Sequence, residues 1–448
     1  MRCAERGFAA LAASLLVLAI AGCGGGNSSV TTITGGGVSG GGGGTTVSLD
    51  TPVGPNTIDV VVDSGPPSGF SLGAANIPYV TVTVCEPGSA TRCVTIDHVF
   101  VDTGSIGLRL LKSTVASLAL PGIAVGADAA SATPAGRALE CYPFVLGAVW
   151  GPLAHADLRV AGEVASSLAI QLIDDAMPMA DAAPAECIAA ANGGLENSVS
   201  SLQANGILGI GMLAYDCGLA CSRGDYSSGY TLYYSCPSPP GSPCVPAALA
   251  SALQTQNPVV HFPVDNNGTI LSLPSLPDLG AGLARGRLVF GIGTQANNQI
   301  PPSATTIYVD ADPSSVSYLY FATSSGATGY ADSYIDSGSN ALFFDDAVLP
   351  MKCQSTTASG SGWYCPPAVV RRTATLTGAF GSTAAVDYAV ANADALFNSS
   401  SVAFASLAGS AGQGASTFVW GLPFFFGRSV FTSIWGQPLS PNGPWNAF

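Results

Sequence analysis

Apolar positions gather along this chain in short β-branched or aromatic runs rather than in long stretches of helical spacing. Runs at Thr57–Val62, 79–84, 94–101, 288–291 and 418–420 are bounded by Gly, Pro, Asn or Asp and predict strands. Helical patterns are few and short, at 113–120, 247–253 and 341–349. The expectation is a mostly-β body with a few short helices. No self-similar period of about 20–50 residues is present, which excludes a propeller or a solenoid.

The first residues have a different pattern. Arg2 and Arg6 precede an apolar run over 8–21, which closes on Ile20-Ala21-Gly22-Cys23. A basic start, a short apolar stretch and small residues before a cut predict a secretory signal over 1–22. The run is too short for a membrane span of about 20 residues. Its ending resembles the bacterial lipobox, which implies that Cys23 becomes the lipidated first residue of the mature chain. Gly24 after it, by resemblance to Gram-negative lipoproteins, directs the protein to the outer membrane, facing the periplasm or the exterior. The anchor is then acyl chains rather than a helix. Gly, Ser, Thr and Asn make up almost all of 24–46, so a flexible tether is expected over 23–55.

Composition narrows the function. At 448 residues the chain exceeds one small domain, and a two-lobed body is expected. Hydrophobic residues are 48% and charged residues 9%, so a large core is available and charge-driven disorder is excluded. Fourteen Lys and Arg against 28 Asp and Glu give a net charge of −14, which argues against nucleic acid as a partner. Only three His are present, His98, His155 and His261, and no Cys pair has the C-x2-C spacing; a metal site is not expected. Apart from Cys3 and Cys23, ten of the 12 Cys remain, an even number that reads as disulfides in an exported chain. Cys85–Cys93 and Cys353–Cys365 can each close a local loop, while the pairing of the other six stays open.

The candidate chemistry lies in a loose duplication. Val99-Phe100-Val101-Asp102-Thr103-Gly104-Ser105 in the first half matches Ser333-Tyr334-Ile335-Asp336-Ser337-Gly338-Ser339 in the second. Each is an apolar strand that delivers a carboxylate to a loop. There Gly permits close backbone approach, and hydroxyls can hold the carboxylate and the facing loop. Val62-Asp63-Ser64-Gly65-Pro66 is a decoy, because Pro66 replaces the second hydroxyl. Two G-x-S-x-G strings, at Gly69-Phe70-Ser71-Leu72-Gly73 and Gly37-Val38-Ser39-Gly40-Gly41, lack the strand-then-helix setting of a nucleophile elbow.

With these two loops the sequence resembles the pepsin-like aspartic proteases, as a divergent branch among bacterial lipoproteins. Further similar elements follow in the family's order: the hairpin around Cys85 and Cys93, Gly107-Leu108-Arg109-Leu110 with Arg109 in place of a usual Trp, Gly206-Ile207-Leu208-Gly209-Ile210-Gly211, and Val419-Trp420-Gly421-Leu422. The resemblance implies a bilobal double-ψ β-barrel, with an N-terminal β lobe over 56–258 and a C-terminal β lobe over 259–448. Asp102 and Asp336 would be the catalytic pair. Thr103 and Ser337 would tie the loops together, Ser105 and Ser339 would hold the outer carboxylate oxygens, and Gly104 and Gly338 would complete the loops. The flap position of the family aligns with Phe144, with Tyr142 two residues earlier. The implied activity is cleavage of a peptide or protein substrate by a monomer, favoured at acidic pH and without a cofactor. The alternative is a non-catalytic surface lipoprotein of the same fold that binds peptide or glycan.

Overall fold

The computed structural model describes residues 45–49, 53–67, 74–126, 135–145, 147–190, 194–224, 231–240, 243–310, 319–351, 353, 362–410, 414–440 and 443–448. The signal and Cys23, most of the tether and both G-x-S-x-G strings lie outside the described residues. The body is mostly β, built from barrel-like sheets of 17 and seven strands, with a few short helices. Among the described residues no helix is long and apolar enough to cross a membrane.

Strand Thr57–Val62 alternates as its sequence dictates, with Val60 and Val62 fully buried and Asp59 exposed. It lies between Leu283–Phe290 and Pro78–Cys85, both antiparallel to it. The larger sheet thus takes strands from both ends of the chain, and a division at residue 258 does not follow sheet membership. Strands Gly268–Leu273, Leu283–Phe290 and Thr306–Tyr308 belong to the sheet of the first half, and the seven-stranded sheet begins at Phe321. The expected tether also ends early. Thr46–Ser48, inside 23–55, is a strand parallel to Leu283–Phe290.

One arrangement occurs twice. Strand Gly206–Ile210 runs parallel to Cys93–Asp102 and antiparallel to Ile106–Leu111, so it fills the space between the two arms of the Asp102 loop. Strand Thr417–Trp420 fills the same place between Thr328–Ile335 and Leu342–Phe344, the arms of the Asp336 loop. Beyond each inserted strand the backbone bonds the loop it has crossed: Gly211 N–H donates to Ser105 O (2.9 Å) and Leu422 N–H to Ser339 O (2.7 Å). The approach requires glycine. A Cβ on Gly211 would sit 2.9 Å from the carbonyl oxygens of Ser105 and Thr103, and one on Gly421 would collide with those of Ser339 and Ala341.

A single apolar cluster runs through both halves, from Val99, Val101, Leu108 and Leu208 to Phe344, Phe418 and Trp420. In the second half Phe418 stacks on Phe344 at 4.5 Å and on Trp420 at 4.3 Å. Ten cysteines form Cys85–Cys93, Cys141–Cys187, Cys217–Cys221, Cys236–Cys244 and Cys353–Cys365. Both loops expected from spacing are closed, and the bridges mark an extracytoplasmic protein.

All three helix expectations are corrected. Of 113–120 only a 3-10 turn, Lys112–Val115, forms; the Ser113 N–H and hydroxyl are held by Asp175, and Pro121 disfavours helix in the residue before it. Of 247–253 only Ser251–Leu253 turns, because Ala247 and Leu249 give their N–H groups to Tyr233 O and Cys221 O. Within 341–349, Leu342–Phe344 is a strand against Thr417–Trp420, so pairing overrides helix propensity.

Leu208, fully buried in the inserted strand between Val101 and Leu108, tests how far this core carries the fold. Leu208→Ala is expected to lower stability by about 2–5 kcal/mol, read as a fall in the urea midpoint at unchanged slope.

Candidate active site

Asp102 ends its strand opposite Gly209, and Asp336 is held at the end of the matching strand by its N–H bond to Trp420 O (3.0 Å). The two loops have the same internal wiring. Asp102 Oδ1 accepts from Gly104 N–H (2.8 Å) and Oδ2 from the Ser105 hydroxyl (2.5 Å). Asp336 Oδ1 accepts from Gly338 N–H (2.7 Å) and Oδ2 from the Ser339 hydroxyl (2.7 Å). Between the loops, Thr103 N–H donates to Ser337 Oγ (3.0 Å) and Ser337 N–H to Thr103 Oγ1 (2.9 Å). The Ser337 hydroxyl in turn donates to Val101 O at 2.8 Å.

This lacing brings the carboxyls together. A Cβ on Gly104 would lie 2.6 Å from Asp336 Oδ1, and one on Gly338 would collide with Asp102 Oδ1. Each glycine is therefore the space occupied by the opposite carboxyl. Asp102 is 6% exposed, Asp336 is partly buried, and Gly104 between them is open to solvent. Burial first, then the charge of Asp102, and a hydrogen bond between the two carboxyls push the Asp336 pKa up to about 8, against the pull of Ser339 and Gly338. Two carboxyls so placed disfavour ionisation of both at once.

The flap residues expected from sequence lie side by side. Phe144, at the turn joining Gly136–Pro143 to Ala148–Val160, packs on a cluster of Leu111, Val149 and Ile173. Tyr142 meets Phe144 edge-on at 5.1 Å, lies under the Arg109 guanidinium at 3.7 Å and is close enough to Asp102 to feel its charge. Tyr142 packs on the same cluster as Phe144.

His155 and His261 take structural partners, Ser167 O and Gln256 Oε1. Among the described residues, the groupings of metal-type donors are Asp181 with Cys236 and Cys244, and Asp394 with Cys353 and Cys365. In both, the sulfurs are already joined in a disulfide. A cavity of about 530 Å³ between Trp420, Phe424, Arg372 and Arg428 involves neither aspartate of the pair.

Sequence reasoning missed a second acidic pair. Glu140 and Asp216 both accept from Arg109 Nη2, at 2.7 and 3.1 Å, with all three side chains fully buried. The available signal was an Arg inside the otherwise apolar strand Ile106–Leu111, since a buried charge needs a partner.

The model of a protein family described as "Protein of unknown function (DUF3443)" matches residues 52–448, which include both Asp loops and every strand from Thr57–Val62 onward. The chain belongs to DUF3443. No curated protein matches it. The Asp102–Asp336 pair of this DUF3443 chain thus lies inside the family's matched region, whereas Cys23 lies before it.

The raised pKa of Asp336 has a stability consequence with a definite sign. The fold favours the protonated carboxyl, so its contribution is complete below the unfolded value near 4 and is lost as pH rises toward about 8. Asp336→Asn is expected to flatten this decline, and thermal unfolding followed between pH 4 and 9 checks it. An Asn variant whose stability falls with pH as steeply as the parent's contradicts a proton held on Asp336.

Proposed function

We propose that this chain is an exported aspartic endopeptidase of pepsin-like double-ψ architecture, anchored to the outer membrane through a lipid on Cys23. The observation that carries the reading is the reciprocal loop pair, in which each glycine makes room for the opposite carboxyl and Thr103 and Ser337 lock the loops together. The repeated insertion of a strand between the arms of each Asp loop supports the double-ψ assignment.

The chemistry follows from one proton on two carboxyls. Like charges held this close cannot both ionise, which is the general behaviour of aspartic protease pairs. The ionised carboxylate takes a proton from a water molecule as the water oxygen bonds to the peptide carbonyl carbon. The protonated partner gives its proton to the carbonyl oxygen, and a neutral tetrahedral diol results. Collapse breaks the C–N bond: the diol returns a hydroxyl proton to one carboxylate, and the amide nitrogen takes one from the other carboxyl. The products are a carboxylic acid and an amine, and the pair again holds a single proton. Ser105 and Ser339 keep the outer oxygens in place, and the backbone N–H groups of Gly104 and Gly338 hold the inner ones. The substrate is an extended peptide or unfolded protein, and the working unit is a monomer.

Purified protein incubated with unfolded protein between pH 3 and 9 is expected to cleave it, with turnover falling as pH approaches about 8, where the pair gives up its shared proton. Asp102→Asn and Asp336→Asn are each expected to reduce cleavage by about 10²–10⁴-fold, the scale of general acid–base catalysis. No cleavage at any pH, or undiminished cleavage by Asp102→Asn, removes the protease reading and leaves a binding role for the same fold.

The anchor is tested apart from the chemistry. Cys23→Ala is expected to abolish incorporation of labelled palmitate and to move the protein out of the membrane fraction. Membrane retention without the thiol contradicts lipidation at this residue.

A further inference from the structure

Glu140, Asp216 and Arg109 form a closed charge cluster beside the carboxyl pair. Arg109 stands on Ile106–Leu111, the strand that leaves the Asp102 loop, and Glu140 stands on Gly136–Pro143 of the hairpin that carries Tyr142. Asp216 follows the inserted strand Gly206–Ile210. Every carboxyl oxygen has a donor. Glu140 Oε1 and Asp216 Oδ2 accept from Arg109 Nη2, Glu140 Oε2 from the Thr255 hydroxyl (2.8 Å), and Asp216 Oδ1 from the Tyr233 hydroxyl (2.6 Å). Arg109 Nη1 donates to Ile106 O, and the face of the guanidinium covers the Tyr142 ring.

The charges do not balance if both acids ionise. One guanidinium against two carboxylates leaves a net negative charge with no solvent contact, a costly arrangement for a protein interior. One retained proton makes the cluster neutral. Burial and then the neighbouring Glu140 push the Asp216 carboxyl up, outweighing the pull of Arg109 and Tyr233. Burial opposes the charge on Arg109, but Glu140, Tyr142 and Asp216 overcome it, so the guanidinium stays charged. Among the described residues, the titratable groups facing the cluster are Tyr233 and Tyr142, and Asp102 acts in turn on Tyr142.

We propose that Arg109 is a positioning residue: neutralised by Glu140 and Asp216 with one shared proton, it fixes the Tyr142 ring and its hairpin beside Asp102. The clamp follows from the cluster alone; its effect on turnover rests on the protease reading above. Arginine suits the task and lysine does not, since only the planar guanidinium can bond both acids through Nη2 and Ile106 O through Nη1 while lying flat on a ring. When the shared proton is lost, the buried negative charge is relieved by opening the hairpin to water.

Hydrogen–deuterium exchange of the hairpin amides over 136–160 in the full chain, corrected for intrinsic rates, tests this without any substrate. In the parent, protection of the hairpin relative to the Leu342–Phe344 strand is expected to fall by about tenfold as pH rises from about 5 to about 10. Asp216→Asn, which cannot ionise, is expected to keep that protection across the range. Arg109→Lys is expected to exchange about tenfold faster at every pH and to raise KM more than it lowers kcat. Hairpin protection that falls with pH in Asp216→Asn as in the parent overturns the proposal, and so does parental protection in a folded Arg109→Lys. Should Arg109→Lys fail to fold, Asp216→Asn decides alone. A pH-dependent hairpin in a parent that cleaves nothing upholds the clamp and removes only the protease reading.

Discussion

The structure depends on the lacing of two loops that are 234 residues apart in the chain. Thr103 and Ser337 each offer a side-chain oxygen to the other's backbone N–H. Those two bonds hold the carboxyls of Asp102 and Asp336 together against their mutual repulsion. The strands behind the loops are organised around the same point. Each loop has a later strand inserted between its arms, and each inserted strand ends by bonding the carbonyl of the loop serine. Disulfides, turns and the outer sheet close the surrounding structure, but the placement of the two acids is fixed by four residues and the glycines that leave them room.

The Asp loops were legible in the sequence because their chemistry is local. Carboxylate, hydroxyl, glycine and hydroxyl occupy four consecutive positions, and the donors that hold each carboxylate come from its own loop, at i+2 and i+3. The Cys85–Cys93 and Cys353–Cys365 bridges were legible for the same reason, being 8 and 12 residues apart. Cys141–Cys187 spans 46 residues and joins a strand to a helix, which no spacing rule reaches. The helix at 341–349 was misread because apolar residues there answer to a partner strand some 75 residues later, not to a helical face. The Tyr142 assignment illustrates the same limit. Alignment along the hairpin selects Phe144, but Tyr142 on the same cluster is the ring that meets Arg109, a cation that sequence marks only as an oddity.

The two buried acidic pairs show how neighbours decide what a carboxyl can do. Both consist of two acids held close enough to share a proton, and in both burial pushes a carboxyl upward. Glu140 and Asp216 have a guanidinium between them and donors on all four oxygens, so their proton is enclosed and their only outlet is structural. Among the described residues, Asp102 and Asp336 have no cation among their bonded partners. Their donors are backbone amides and hydroxyls of the same loops, and the glycine beside them is open to solvent. A proton there can leave and return, which is the requirement for acid–base chemistry on a bound molecule. In a chain with only 14 basic residues against 28 acidic ones, an arginine is bonded in the core to one pair and, among the described residues, none to the other, which under the proposed reading separates a clamp from a reactive site. Tyr142 lies between them, with its ring on the cation of the first pair and its hydroxyl under the charge of the second. Tyr142 is thus a side chain on which both acidic pairs act, through the Arg109 guanidinium on its ring and the Asp102 charge on its hydroxyl.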